Sequence, residues 1–310
     1  IETEAAALGF DERISNSEGA TVSTNRGSRA YGNTHGFVGS ATRTSHSITC
    51  VVLAEADGVM QRDYQYTSAR DPADLDKPAG VGQSAASRVI NRLGARKLKT
   101  TRAPVLYVPE LARGFIGHAI GAISGGAQYR RSSFLLEAVG EKIFPDFLNI
   151  EERPHLKKAM ASTAYDAEGV ATYDRDIVTD GVLREYVLSS YSARRLGLST
   201  TANAGGAQNL IIPGGAGQDQ ASLIREMDTG FLVQELIGQG VNGVTGDYSR
   251  GAVGQWIENG EIQYPVHEVT IAGNLRELYP RIVAIGADQD LRGGIRCGSL
   301  LVEEMTIAGS

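Results

Sequence analysis

Histidine, cysteine and the carboxylates are the side chains that hold metals and move protons, and in this chain few of them stand at productive spacings. There are five histidines, His35, His46, His118, His155 and His267, and two cysteines, Cys50 and Cys297. A hydrolytic zinc centre needs three protein ligands, an open position for water and a base beside it. No HxxH, HxxxH or HExxH pair occurs, so no helix face carries two histidine ligands one turn apart. His35 and His46 lie in a strand-rich region and read as a polar sheet face or as a functional pair. No GxSxG elbow is present. A nucleophilic site would need His118, Cys297 and Asp247 to meet in space. Asp71, Asp74 and Asp76 share a short acidic loop that lacks the glycine and closing glutamate of a calcium loop. Arg130 and Arg131 suit a peptide carboxylate or an ordinary surface ion pair. Asp247 and Arg250, in GVTGDYSR (243–250), form either a structural pair or the polar lining of a cleft.

The element that positions most of these groups is PVLYVPELARGFIGHAIGAISGGAQYRR (104–131). Val105–Val108 reads as a buried strand, and Pro109 then opens a helix with Glu110 in its first turn. Leu111, Ala112, Phe115, Ile116, Ala119, Ile120 and Ile123 recur at helical spacing and make one apolar face. Gly114, Gly117 and Gly121 fall together on the other side, beside Arg113 and His118. Each interior glycine costs a helix about 1 kcal/mol relative to alanine. The glycine face therefore either packs tightly on a neighbouring strand or forms a floor under a bound peptide. The Gly125-Gly126 run that follows is neither GxxxxGK[ST] nor GxGxxG, so it is a weak nucleotide signal.

The wider chain is strand-rich. Its 38 glycines have no repeat period, and its 30 basic and 36 acidic residues leave a formal charge of −6. That balance argues against nonspecific nucleic-acid or anionic-membrane binding. No apolar run reaches the roughly 18 residues of a membrane span. Two distant cysteines and no secretory leader point to a cytoplasmic protein. Strands are expected over 11–66, with a turn at Glu18-Gly19, a hairpin at Asn25-Arg26-Gly27 and a turn at Asp57-Gly58. A helix is expected over Ala85–Leu93 and a boundary near Thr100–Pro104. Residues 203–217 read as a mobile cover or an irregular connection. Strands follow at Phe231–Ile237, Gly243–Tyr248, Gly254–Glu258 and Glu261–Pro265, with Asn259-Gly260 as a hairpin turn. The expected fold class is α+β: residues 1–100 as the remainder of an N-terminal α/β domain, with a helix near 84–95. Residues 101–310 follow as a curved antiparallel sheet or partial barrel with a few helices.

The segments GNTHGFVGSATRTSHS (32–47), GHAIGAISGGAQYRRSSFLLE (117–137), IEERPHL (150–156), ASTAYDAEGVAT (161–172), SSYSARRLGL (189–198), GVTGDYSRGAVGQWIENGEIQYPV (243–266) and RCGSL (296–300) carry a family resemblance. Across nearly its whole length the chain resembles the PmbA (TldE) branch of the TldD/PmbA family of bacterial metalloproteases. The TldD branch has a metal-binding HExxxH helix where this chain reads Gly117-His118-Ala119-Ile120-Gly121-Ala122. Gly117 and Ala122 stand at the two ligand positions, and His118 at the glutamate. Cys297 matches a third ligand of that branch. The resemblance implies a noncatalytic subunit of a cytoplasmic metallopeptidase. It would carry no cofactor of its own and would pair with a TldD-like chain holding zinc or another divalent metal. Residues 114–131 and Cys297 would then border a chamber shared by the two subunits. It further implies extended peptide substrates, maturation of antibiotic peptide precursors and degradation of unstructured small proteins, and it leaves room for a homodimer. Family members carry a further N-terminal region, so the chain is expected to be part of a longer protein. A stand-alone regulatory protein that binds peptides or proteins without catalysis is the other reading.

Overall fold

The structure is a computed structural model that describes residues 1–309. It divides into two compact units, one of residues 1–32, 38–96 and 158–160, the other of 33–37, 97–157 and 161–310.

The first unit contains helix α1 (Glu2–Leu8), strands β1 (Ile14–Gly32), β2 (Val38–Ala56) and β3 (Val59–Ala69), and helix α2 (Pro78–Ile90). The strands form an antiparallel sheet in the order β1-β2-β3. Ile48, Cys50, Val52 and Ala54 alternate along β2 and point into the core, where Val81, Ala85, Ala86 and Val89 of α2 cover them. A Cβ at Gly82 would run into the backbone of Thr3, so this glycine is the close approach of α1 to α2. Helix α2 begins at Pro78, earlier than expected, because Pro is preorganised for a first helical position. Neither the turn at Glu18-Gly19 nor the hairpin at Asn25–Gly27 forms. Gly19 (φ +101°) sits at a register shift in a continuous β1, and Gly27 pairs with Arg43 in mid-ladder. The chain reverses later, where Asn33 Oδ1 accepts the backbone N–H groups of His35 and Phe37. The Asp57-Gly58 turn forms as expected, with φ +53° and +73°.

The second unit begins with β4 (Thr101–Tyr107), α3 (Pro109–Ala122), α4 (Gly125–Tyr129), β5 (Ile150–Glu152), β6 (Arg175–Thr179) and β7 (Val182–Leu183). It continues with α5 (Ser190–Leu196), β8 (Leu210–Ile211), α6 (Gln220–Met227), β9 (Gly230–Ile237), β10 (Asp247–Glu258) and β11 (Glu261–Asn274). It ends with α7 (Leu275–Leu278), β12 (Ile282–Ile285), β13 (Ile295–Arg296) and β14 (Leu300–Ala308). Its main sheet runs β11-β10-β9-β4-β14-β12, and β11 also pairs with β14. The expected partial barrel is thus a closed ring of five strands. One edge of β14 lies along β4. The other is shared, Leu300–Val302 with β12 and Thr306–Ala308 with β11. The β4–β9 pair is parallel and the other pairs of this sheet are antiparallel. A second sheet runs β13-β8-β5-β6-β7. The strand expected from Gly243 starts only at Asp247, because Asn242 Oδ1 accepts from the N–H groups of Val244 and Thr245 and turns the chain first.

Helix α3 buries the apolar face read from its sequence: Ala112, Phe115, Ile116 and Ala119 are buried, with Leu111 and Ile120 packed beside them. Phe115 stacks on Tyr107 at 5.0 Å and meets Tyr248 and Tyr279 edge-on at 5.8 and 5.3 Å. Tyr279 Oη donates to the Phe115 carbonyl at 3.1 Å. The far end of α3 is capped by side chains, Gln128 Nε2 and Ser133 Oγ both donating to the Ala122 carbonyl.

A buried ionic network ties down the glycine-rich run. Arg175 Nε donates to Glu152 at 2.6 Å, with the two side chains 4 % and 1 % exposed. Glu152 also accepts from Asn203 Nδ2 and the Gln208 N–H, while Arg175 reaches Asn203, Glu185 and the Tyr186 carbonyl. Residues 203–209 are therefore an irregular connection locked by buried polar bonds. Glu152→Ala removes the buried carboxylate from Arg175, leaving it the exposed-side partner Glu185, and strips an acceptor from Asn203 Nδ2 and the Gln208 N–H; it is expected to lower stability by about 3–5 kcal/mol in chemical denaturation. Arg131→Ala, which breaks an ion pair whose partners are 69 % and 77 % exposed, should stay within about 0.5 kcal/mol of the parent.

Candidate functional site

A half-open cleft of ≈ 330 Å³ lies over the polar side of α3. Its floor is Gly117, His118, Gly121 and Ala122. Ser132 and Phe134 make one wall, Gln239, Val241 and Gly243 the other, and Arg250 projects from β10. The walls are joined by the Phe134 N–H donating to the Gly243 carbonyl at 3.0 Å. The caps on Ala122 hold the 132–134 wall against the helix end, and the aromatic contacts of Phe115 set the helix's rotation.

Of the two readings of the glycine face, tight packing is absent. A Cβ at Gly114 or Gly121 would meet nothing within 4 Å. One at Gly117 would touch only Ile295 Cδ1, at an ordinary 3.6 Å. The glycines cost α3 about 0.5–1 kcal/mol each and gain no interhelix or helix–strand approach in return. At Gly117 and Gly121 they keep the cleft floor bare backbone.

His118 is half-buried, edge-on to Tyr248 with ring centroids 6.0 Å apart. Burial, and secondarily the charge of Arg250, pull its pKa below the ordinary 6.5, so the imidazole is neutral at pH 7. The unfolded chain binds this proton more readily. Stability contributed here is therefore present above the ordinary histidine range and is lost as pH falls through that range toward the folded value. Arg250 Nη2 makes one long bond to the Leu236 carbonyl at 3.5 Å, and its Nε–H is buried with no acceptor among the described residues.

Four of the nine residues singled out from sequence, Gly117, His118, Gly121 and Arg250, surround this cleft; the other five do not line it. Gly114 is exposed on the same helix. Arg130 is exposed and lies over the Tyr129 ring at 5.2 Å, while Arg131 pairs with Glu137 at 3.0 Å. Asp247 is not the partner of Arg250: it accepts from Thr245 Oγ1 at 2.6 Å and Asn274 Nδ2 at 3.1 Å and clips a turn to the end of β11. Cys297 is fully buried, its thiol pushed up to about 12 by burial and then by Asp288. His118, Cys297 and Asp247 do not share the cleft. Ser132, Phe134, Gln239 and Val241 were missed; they come from loops whose approach to α3 has no local sequence signal. Elsewhere, Asp71 and Asp74 of the acidic loop hold Lys158 Nζ at 2.8 and 2.9 Å.

The second unit thus has a closed ring of five strands and a helix with a bare glycine face, and it shares one chain with a unit of three antiparallel strands and two helices. Residues 100–309 match the PmbA/TldA metallopeptidase C-terminal domain and residues 1–93 its central domain. The chain is 51 % identical over 306 residues to metalloprotease PmbA of Escherichia coli O157:H7, covering 99 % of this chain and 68 % of that protein. A crystal structure from Bacteroides thetaiotaomicron, described as a candidate modulator of DNA gyrase, superposes with TM-score 0.94 at 32 % identity, over 99 % of this chain and 70 % of that one. TldE from Thermococcus kodakarensis shares the fold, with TM-score 0.87 at 22 % identity, over 99 % of this chain and 72 % of that one. The chain belongs to the PmbA/TldD metallopeptidase family, in its PmbA/TldE branch.

The residues at the cleft do not fit the metal that the family name implies. Gly117 and Ala122 offer no donor atom, His118 is a single imidazole beside a guanidinium, and Cys297, which lies outside the cleft, is a buried, protonated thiol. Among the described residues, no group of three or more His, Cys, Asp or Glu could hold an ion. No helix among the described residues is long and apolar enough to cross a membrane. The His118 imidazole is expected to titrate below 6.5 by NMR, and its midpoint to rise in Arg250→Gln; an unchanged midpoint would show that the guanidinium exerts no field on it. Gly121→Ala should raise stability by about 0.5–1 kcal/mol in a denaturant melt, and a loss would mean that the site is packed after all.

Proposed function

We propose that this chain is the PmbA/TldE-type subunit of a cytoplasmic peptidase, paired with a TldD-like chain that holds the divalent metal. Its cleft admits extended peptide rather than performing hydrolysis. The observation that carries this reading is the floor of the cleft: glycines that weaken α3 without packing against anything, at positions with no donor for a metal. Bare helix backbone lets a peptide main chain lie within van der Waals contact, and the neutral imidazole of His118 offers it one hydrogen-bonding edge. The strand-rich architecture suits an extended substrate, which binds by pairing with a sheet edge. Maturation of peptide precursors and degradation of unstructured small proteins follow from the same partnership, and a homodimer of this chain is its form without the partner.

The test is hydrolysis of an unstructured peptide, with metal analysis, for this protein alone and mixed with a TldD-like protein. Activity is expected only in the mixture, with the metal in the partner. Chelator-sensitive cleavage by this chain alone, or failure to associate with any TldD-like chain, would overturn the proposal. Within the complex, His118→Ala should lower peptide turnover about two- to tenfold, the worth of one hydrogen bond, while assembly by size-exclusion chromatography is unchanged. Unchanged turnover would take His118 out of the site.

A further inference from the structure

None of the residues lining the cleft carries a negative charge. Arg250 is nevertheless half-buried in it, and the described residues place no carboxylate within ion-pairing distance of its guanidinium. The neighbouring acid, Asp247, is committed to Thr245 and Asn274. The carbonyl of Leu236 is a single long partner at 3.5 Å, and the buried Nε–H has none. A guanidinium presents five donors in a planar fork that matches a carboxylate edge. Most arginines elsewhere in the unit have such an edge: Arg175 meets Glu152 and Glu185, Arg153 meets Glu151 and Asp176, and Arg292 meets Asp290. Removing charge from water without a partner is costly, so an under-bonded arginine facing a solvent-accessible cleft is a receptor for an anion.

The surroundings narrow the anion to one attached to a peptide. A free inorganic ion needs only the charge. This cleft adds a bare glycine floor, an apolar side chain on each wall, Phe134 and Val241, and the polar groups of Ser132 and Gln239. That combination fits a main chain with modest side chains lying along α3. Accordingly, and resting on the reading of the cleft as a peptide-holding surface, we infer that Arg250 receives a carboxylate of the bound peptide. The guanidinium meets it fork to fork, turning its unused Nε–H onto one oxygen, and His118 contributes a neutral hydrogen-bonding edge beside it. The ligand class is an acidic or carboxyl-terminated extended peptide.

The experiment uses the chain without any partner, so it can succeed or fail independently of the hydrolysis assay. The probe is an acetylated, fluorescently labelled decapeptide of glycine, serine and alanine ending in leucine, prepared with a free C-terminal carboxylate and as the C-terminal amide. A third version is the amide with one internal glutamate. Anisotropy should show the free acid binding about ten- to hundredfold more tightly than the plain amide, the range of a charge-assisted hydrogen bond. Arg250→Gln should abolish that preference. If the internal glutamate restores the affinity lost in the amide, the inference stands and the carboxylate is a side chain. Gly121→Leu places a helix-favouring side chain in the cleft while keeping the Arg250 side chain itself, and should remove binding of every version. Equal binding of all three versions, a carboxylate preference that survives Arg250→Gln, binding unaffected by Gly121→Leu, or no binding by any peptide would each overturn the inference.

Discussion

The position of every group in the cleft depends on how Phe115 is held. Three tyrosines from three separate elements, β4, β10 and the turn after α7, converge on that ring, and one of them also takes its backbone carbonyl. Aromatic pairs of this geometry contribute about 0.5–1.5 kcal/mol each beyond the area they bury. Their larger effect is directional, because an edge-on or offset ring tolerates little rotation. A helix weakened by glycines on one side is thereby kept at a fixed rotation by the other. Gly117 and Gly121 face open space because Phe115 and Ile116 cannot leave the core.

Two further constraints complete the frame. The caps on Ala122 by Gln128 and Ser133 satisfy the helix end and at the same time set the wall that carries Phe134. The Glu152–Arg175 network does for the second sheet what a hydrophobic cluster would do elsewhere, but with polar groups that accept only one arrangement. Buried ion pairs contribute little net stability, whereas losing one partner is severe. The network's consequence is that the run through Asn203 and Gln208 has one conformation despite its glycines.

Much of this was readable from the chain. The 3.6-residue spacing of Phe115, Ile116 and Ala119 identified α3, its buried face and the side on which Gly117, His118 and Gly121 lie. Asp57-Gly58 and Asn259-Gly260 identified their hairpins, because positive φ at two successive positions restricts the residues that serve there. What could not be read was long-range. Closure of the barrel rests on the pairing of Thr270 with Ala308, which leaves no local mark. The hairpin placed at Asn25–Gly27 failed because a glycine in a ribbon exposed on both faces looks like a turn when its partner strand is unknown. The choice between packing and an open floor for the α3 glycines was undecidable for the same reason, since only the fold shows what does or does not approach them.

The shared edge of β14 has a consequence for how the second unit forms. Tyr107 on β4 and Met305 on β14 touch across 198 residues of sequence, and β14 is also the strand that joins β11 to the ring. Until it arrives, β4, β9, β10 and β11 are an open ribbon with two unsatisfied edges and an apolar inner face. Contacts of such separation are slow to form because their closure entropy precedes any reward. A chain emerging from the ribosome at about 5–20 residues per second displays that ribbon for about 2–7 s between the end of β11 and the end of its closing strand. Its biosynthesis therefore passes through a species prone to edge-to-edge aggregation, and the cleft on α3 is among the last features to take shape.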